Sequence, residues 1–413
     1  MQHQRIGAVL LGAAMCLAAP SASARDQTAD MTSWVAAWEA PPIGYEPQIQ
    51  KALGRPYRNE TARQLVRAGV SGKRLRLRLS NDLSDTAVTI GAASIARVDD
   101  DGNVVPGSIR PLTFHGVKQV RIPPHAPMLT DAVAMPAKAG EWFAVSIYYP
   151  EKAAPPAHAQ MLDVVSGDAT AAARLSDAKR VRAPGIVSEL DISGAAKTRV
   201  LVAFGDSITE GAGTDPADAM SWPDQLGRML AGDSAGKCWS VVNAGISGNR
   251  ILRDGRGPNA LSRFDRDVLS VPGVTHIVLL EGINDIGGVK DDPAKGDPVT
   301  AETLINAYRQ FIARAHARDV KVIIGTILPY EGAAYGSERG EQVREAVNRW
   351  VRTHRDQFDG MIDFDKAMAE PGKPRVMRLA EQIGDHLHPN ATGYGRMARA
   401  AAPVVTKDRC PAP

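Results

Sequence analysis

The sequence has almost no net charge. Across 413 residues, 49 Lys and Arg stand against 46 Asp and Glu, a formal balance of +3. That is too little to attract nucleic acid or an anionic membrane surface, and no block of like charge marks an interaction tail. Long apolar runs are missing too. Ile6 to Ala19 is only about 14 residues long, where a membrane-spanning helix needs roughly 20, and no later stretch is apolar enough to cross a bilayer. Stable membrane insertion is therefore not expected. Cysteine is scarce, with three residues, and there is no His/Cys cluster or His-Glu-x-x-His pattern of the kind that holds zinc. No metal and no cofactor are called for.

What is present at the start is a targeting pattern. Arg5 precedes the short apolar run, and Ala22-Ser23-Ala24 offers a small-residue cleavage site. Residues 1–24 read as a signal peptide cleaved after Ala24, which places the mature protein in a secreted or periplasmic setting. Cleavage would remove Cys16 and leave Cys238 and Cys410. In an exported chain two such cysteines invite a disulfide closing a loop of 410 − 238 = 172 residues. Two unrelated thiols are the other reading.

The length favours two domains. Residues 30–192 are β-rich. Lys73 to Leu79 alternates basic residues with leucines, and Val88 to Val98 and Trp142 to Tyr149 are rich in β-branched or aromatic residues. With turn signals between them, these strands imply a sandwich or jelly roll as an accessory domain. The arginines of the alternating stretch are expected on a solvated face. Trp34 and Trp38 could stack on sugars or pack into a core. From residue 197 to 407 the pattern turns to strands alternating with helices, the signature of a parallel sheet covered on both faces. In such sheets ligands bind beyond the carboxyl ends of the strands.

Four short motifs fall there. Gly205-Asp206-Ser207-Ile208-Thr209-Glu210-Gly211 places a serine on a tight strand-to-helix turn. Asn243-Ala244-Gly245-Ile246-Ser247-Gly248-Asn249 follows the next strand, and Gly248 has a backbone N–H free to donate. Gly282-Ile283-Asn284-Asp285 supplies an amide able to meet a developing oxyanion. Asp385-His386-Leu387-His388-Pro389, just before the last helix, supplies a base and a carboxylate to orient it. Each alone is an ordinary strand-end turn, and the last could be read as a metal site.

Taken together and in this order, the set resembles the SGNH hydrolase superfamily, also called GDSL esterases and lipases, over roughly residues 197 to 407. The resemblance implies a flavodoxin-like three-layer α/β/α fold. It also implies Ser207 as nucleophile, His388 as base and Asp385 as its acid. Ser207, Gly248 and Asn284 would form the oxyanion hole. Glu210 stands where an Asp is common in the family. The sequence is also similar to a secreted bacterial subgroup with an N-terminal β-domain.

Neighbouring residues carry humbler expectations. Asp206 should cap or brace the turn, Glu281 and Asp285 should hold the Asn284 loop, Arg250 should be exposed, and His386 should be a bystander or line the acyl pocket. The function expected is a serine esterase acting through an acyl-enzyme on short-chain or acetyl esters, carbohydrate esters among them. An O-acyltransferase with the same site, and an inactive carbohydrate-binding protein, are the alternatives. The partner is a small-molecule or glycan ester, with no nucleic acid.

Overall fold

Leu75, Leu77 and Leu79 are fully buried, while Arg74, Arg76 and Arg78 between them keep partial exposure. This period of two makes Arg74–Asn81 a strand with one face in the core. A computed structural model describes residues 33–44, 56–155, 158–194, 197–215, 218–232 and 237–410. The expected leader, its cleavage site and Cys16 lie outside them. One antiparallel sheet has the order β1 (Trp34–Glu39), β12 (Val187–Ser193), β3 (Arg74–Asn81), β8 (Ala126–Leu129). A second runs β11 (Lys179–Gly185), β10 (His158–Ser166), β2 (Glu60–Arg67), β9 (Trp142–Tyr149), β5 (Ala92–Arg97), β6 (Arg110–Pro111). A ribbon of β4 (Val88–Ile90) and β7 (Val120–Ile122) completes the region. The β3 leucines share one apolar cluster with Ile95, Val145 and Ile147 of the second sheet.

Two details differ from the sequence expectation. The Val88–Val98 stretch is two strands, because Gly91 lies against Tyr148, where a Cβ would come within 2.8 Å of the ring. The arginine face is not simply solvated. Arg76 donates to Asp191 Oδ2 at 2.7 Å and lies 4.4 Å over the Trp34 ring, and Arg78 pairs with Asp82.

Beyond Arg199 the sheet is parallel, in the order β14 (Trp239–Gly245), β13 (Arg199–Gly205), β15 (Val274–Leu280), β16 (Lys321–Gly325), β17 (Gly360–Ile362). Val200 to Phe204 are all buried, the continuous apolar run of a strand covered on both faces. The helices are α1 (Ser207–Glu210), α2 (Trp222–Gly232), α3 (Ala260–Phe264), α4 (Ile283–Ile286), α5 (Ala301–His316), α6 (Glu338–Thr353), α7 (Phe364–Met368) and α8 (Ala391–Val405). No helix among the described residues is long and apolar enough to cross a membrane. Counted from β13, the strand order is 2-1-3-4-5, the flavodoxin arrangement, with its switch point between β13 and β15.

The two regions are joined through β1. Ala36 N–H donates to the Pro272 carbonyl at 2.9 Å, and Ser240 Oγ donates to the Ala36 carbonyl at 2.7 Å. Val35 packs so closely on Gly273 (φ +75°) that a Cβ there would sit 2.8 Å from it. The apolar core is continuous across this seam, and Ser33–Pro413 form one compact unit. A disulfide links Cys238 to Cys410 with Cα atoms 5.6 Å apart, which fastens the tail to the start of β14.

Candidate active site

Gly205 ends β13 where no side chain fits: a Cβ would lie 2.3 Å from Thr209 Oγ1 and 2.4 Å from the Leu280 carbonyl. Asp206 then caps α1, its Oδ1 accepting from Ile208 N–H at 2.9 Å. Gly211, in the left-handed region at φ 105°, closes the turn after one revolution. Ser207 is thus the first residue of a one-turn helix at the carboxyl end of the sheet. From the far end of the chain, the loop before α8 meets it. His388 Nε2 is 2.8 Å from Ser207 Oγ, and His388 Nδ1 is 2.6 Å from Asp385 Oδ2. The other oxygen, Asp385 Oδ1, accepts the N–H groups of Leu387 and His388 at 3.0 and 2.9 Å, so carboxylate and ring are held by one loop.

The remaining motifs arrive at the same switch point. Gly248 has φ 76°. Neither its N–H nor that of Ser207 donates to an acceptor among the described residues. Asn284 donates one amide N–H to the Asn249 carbonyl at 2.9 Å. The amide has a second N–H.

Residues 203–396 match the family of GDSL-like lipases and acylhydrolases. This part of the chain is a GDSL-like acylhydrolase domain. Among solved structures, the chain is similar to a GDSL-like lipase from Bacteroides thetaiotaomicron at 18% identity and a TM-score of 0.39, covering 51% of this chain and 89% of that one. It is similar to a variant of an acetyl-xylooligosaccharide esterase from Geobacillus at 20% identity and a TM-score of 0.40, covering 50% and 94%. A third likeness is to an alpha/beta hydrolase enzyme from the metagenome of Lake Arreo, Spain, at 21% identity and a TM-score of 0.39, covering 49% and 92%. No curated protein matches the chain.

The electrostatics of the GDSL-like domain separate its carboxylates. Partial burial pushes Asp385 up, but hydrogen bonds from the His388 ring and from two backbone N–H groups hold it below the ordinary aspartate value. Burial drives Asp206 up to about 7, against the Ile208 N–H, and nearby Asp285 adds to the rise. Glu281 is raised well above the ordinary value, first by burial and then by Asp206. Neither of its carboxyl oxygens accepts a hydrogen bond among the described residues. Asp285 braces the loop after Gly248 by accepting from Ile251 and Leu252 at 2.7 and 3.0 Å. The loop-holding role expected of both acids thus falls to Asp285. Arg250 is half-buried and its guanidinium makes no hydrogen bond or ion pair among the described residues. His386 packs over Gly332 and leaves Nδ1 buried without a hydrogen-bond partner among the described residues.

Two supports were invisible in the sequence. Arg263, fully buried, donates to the carbonyls of Gly205 and Ala244, each at 2.9 Å, and to Asn249 Oδ1 at 2.8 Å. It therefore clamps the ends of β13 and β14, with Asp267 at 3.3 Å balancing its charge. Ser262 and Asp265 to Asp267 around it are polar, so nothing in the sequence marks this arginine as buried. Glu210 reaches the other way. It accepts the N–H of Ser247, next to Gly248, and its Oε1 lies 3.5 Å from His158 Nε2 on β10 and 3.8 Å from Arg182 on β11. No pattern within either region could have revealed a contact that spans both.

Proposed function

We propose that the protein is an exported serine ester hydrolase with Ser207, His388 and Asp385 as its catalytic residues. The observation that carries this reading is the hydrogen-bonded chain from Ser207 Oγ through the His388 ring to Asp385, 2.8 and 2.6 Å long, at the switch point of the sheet. His388 Nε2 takes the hydroxyl proton as Ser207 Oγ attacks an ester carbonyl. The Nδ1–H, donated to Asp385 Oδ2, keeps Nε2 as the accepting nitrogen and stabilises the imidazolium that forms. The backbone N–H groups of Ser207 and Gly248 and the amide of Asn284 receive the negative oxygen. His388 returns the proton to the departing alcohol, and water cleaves the acyl-enzyme by the same route in reverse.

Short acyl esters, carbohydrate esters among them, are the substrates we favour, with residues 30–192 as an accessory domain beside the catalytic residues 197–407. Export is supported by the leader pattern of residues 1–24 and by a disulfide, a bond that persists in oxidising compartments. The test is hydrolysis of p-nitrophenyl acetate, butyrate and octanoate by the mature protein beside Ser207→Ala. The variant should lose at least about 10⁴-fold in kcat, and the wild type should prefer the shorter chains. Equal turnover by the two proteins would exclude the mechanism.

A further inference from the structure

One cavity among the described residues lies away from Ser207. It is a cleft of about 360 Å³ between the outer face of the second β-sheet and α2 with β14. That volume falls within the usual range of small-ligand sites. Ser207, Gly248, Asn284, Asp385 and His388 do not line it. Its inner wall includes Glu210, Asn243 and Gly245, so it lies behind the turn that carries the serine.

Two kinds of group meet there. Trp38 and Trp142 both line the cleft and are only partly buried. Neither stacks on another aromatic ring among the described residues. Arg67 faces Trp142 directly across the β2–β9 pair. Its guanidinium and the Asp163 carboxylate make no hydrogen bond or ion pair among the described residues.

An acyl chain would strand these polar groups, and the lining sets four acids against four arginines, so no excess of positive charge draws a polyanion. A sugar ring satisfies all of them. Its hydroxyls accept from Arg67 and donate to Asp163, while its C–H face covers an indole. We propose that this cleft is a carbohydrate-binding site, separate from the catalytic centre, that holds one or two sugar units of an oligosaccharide. Binding there does not depend on ester cleavage.

The experiment is titration of intrinsic tryptophan fluorescence and calorimetry on the full-length Ser207→Ala protein. The probes are xylohexaose, cellohexaose, mannohexaose and chitohexaose. At least one should bind saturably. Trp142→Ala and Asp163→Asn, built on the same protein, should each weaken that binding at least tenfold. In the Ser207 background the same two changes should leave p-nitrophenyl acetate turnover within twofold. Asp163→Asn keeps shape and volume, so it remains informative should Trp142→Ala disturb folding. Absence of binding by every probe, or binding unchanged in Asp163→Asn, would overturn the proposal. Sugar binding without any ester turnover by the Ser207 protein would instead sink the esterase reading and leave the cleft standing.

Discussion

Asn284 holds its side chain in place with a 2.9 Å hydrogen bond to the Asn249 carbonyl, and that geometry sets what its loss should do. If the second N–H meets charge that develops only in the transition state, Asn284→Ala should lower kcat by roughly 100- to 1,000-fold while KM stays within about threefold. Steady-state kinetics on p-nitrophenyl acetate decides this, and a change confined to KM would assign Asn284 to ground-state binding. Glu281 offers a prediction of opposite kind. Its folded pKa is raised, so keeping it protonated costs stability that grows as pH rises above the ordinary glutamate value. Glu281→Gln should therefore raise Tm at pH 8 more than at pH 5, without loss of esterase activity. The motif residues were legible because a nucleophile, its base and its donors must each sit at a strand end or loop. The state of Glu281 was not legible, because burial is a property of the assembled core.

Glu210 and His158 lie on different elements, α1 and β10, and between them they tie the loop of Ser247 and Gly248 to the β-rich region. Burial depresses His158, but the hydrogen bond and charge of Glu210 together with the Pro41 carbonyl outweigh this and raise its pKa, while Glu210 is lowered despite burial; Arg182 and the Ser247 N–H also face the pair. The histidine's contribution to stability is complete below its ordinary pKa and fades as pH rises through the raised value. The glutamate's is complete above its ordinary pKa and is lost as pH falls through the lowered value. The pair should therefore stabilise most from roughly pH 4.5 to 6.5. His158→Gln should show its largest Tm deficit in that window and a smaller one at pH 9. A deficit independent of pH would mean that the contact is one of packing. Elements of the parallel sheet were readable from continuous apolar runs such as Val200 to Phe204. Gly91 shows where such reading stops, since the break it makes depends on Tyr148 of a strand more than fifty positions away.

For the whole molecule, the continuous core across β1 predicts one cooperative calorimetric unfolding transition, although the sequence divides clearly into a β-rich and an α/β part. Two resolved transitions would show that the seam is weak. The Cys238–Cys410 bridge closes a loop of 172 residues, so replacing both cysteines by serine should lower stability by up to about 5 kcal/mol on the chain-entropy account, measured as a reduced denaturation midpoint. The chain order of the β-rich region also has a consequence for its biogenesis. Its first strand, Trp34–Glu39, pairs with its last, Val187–Ser193, Trp34 lying opposite Ser193. The segment that emerges first thus finds its partner only after some 150 further residues, a pairing with a high loop-closure cost that makes for slow folding. Until then Val35, Ala36 and Ala37 are an apolar strand with both edges open, the kind of segment that aggregates unless a chaperone holds it.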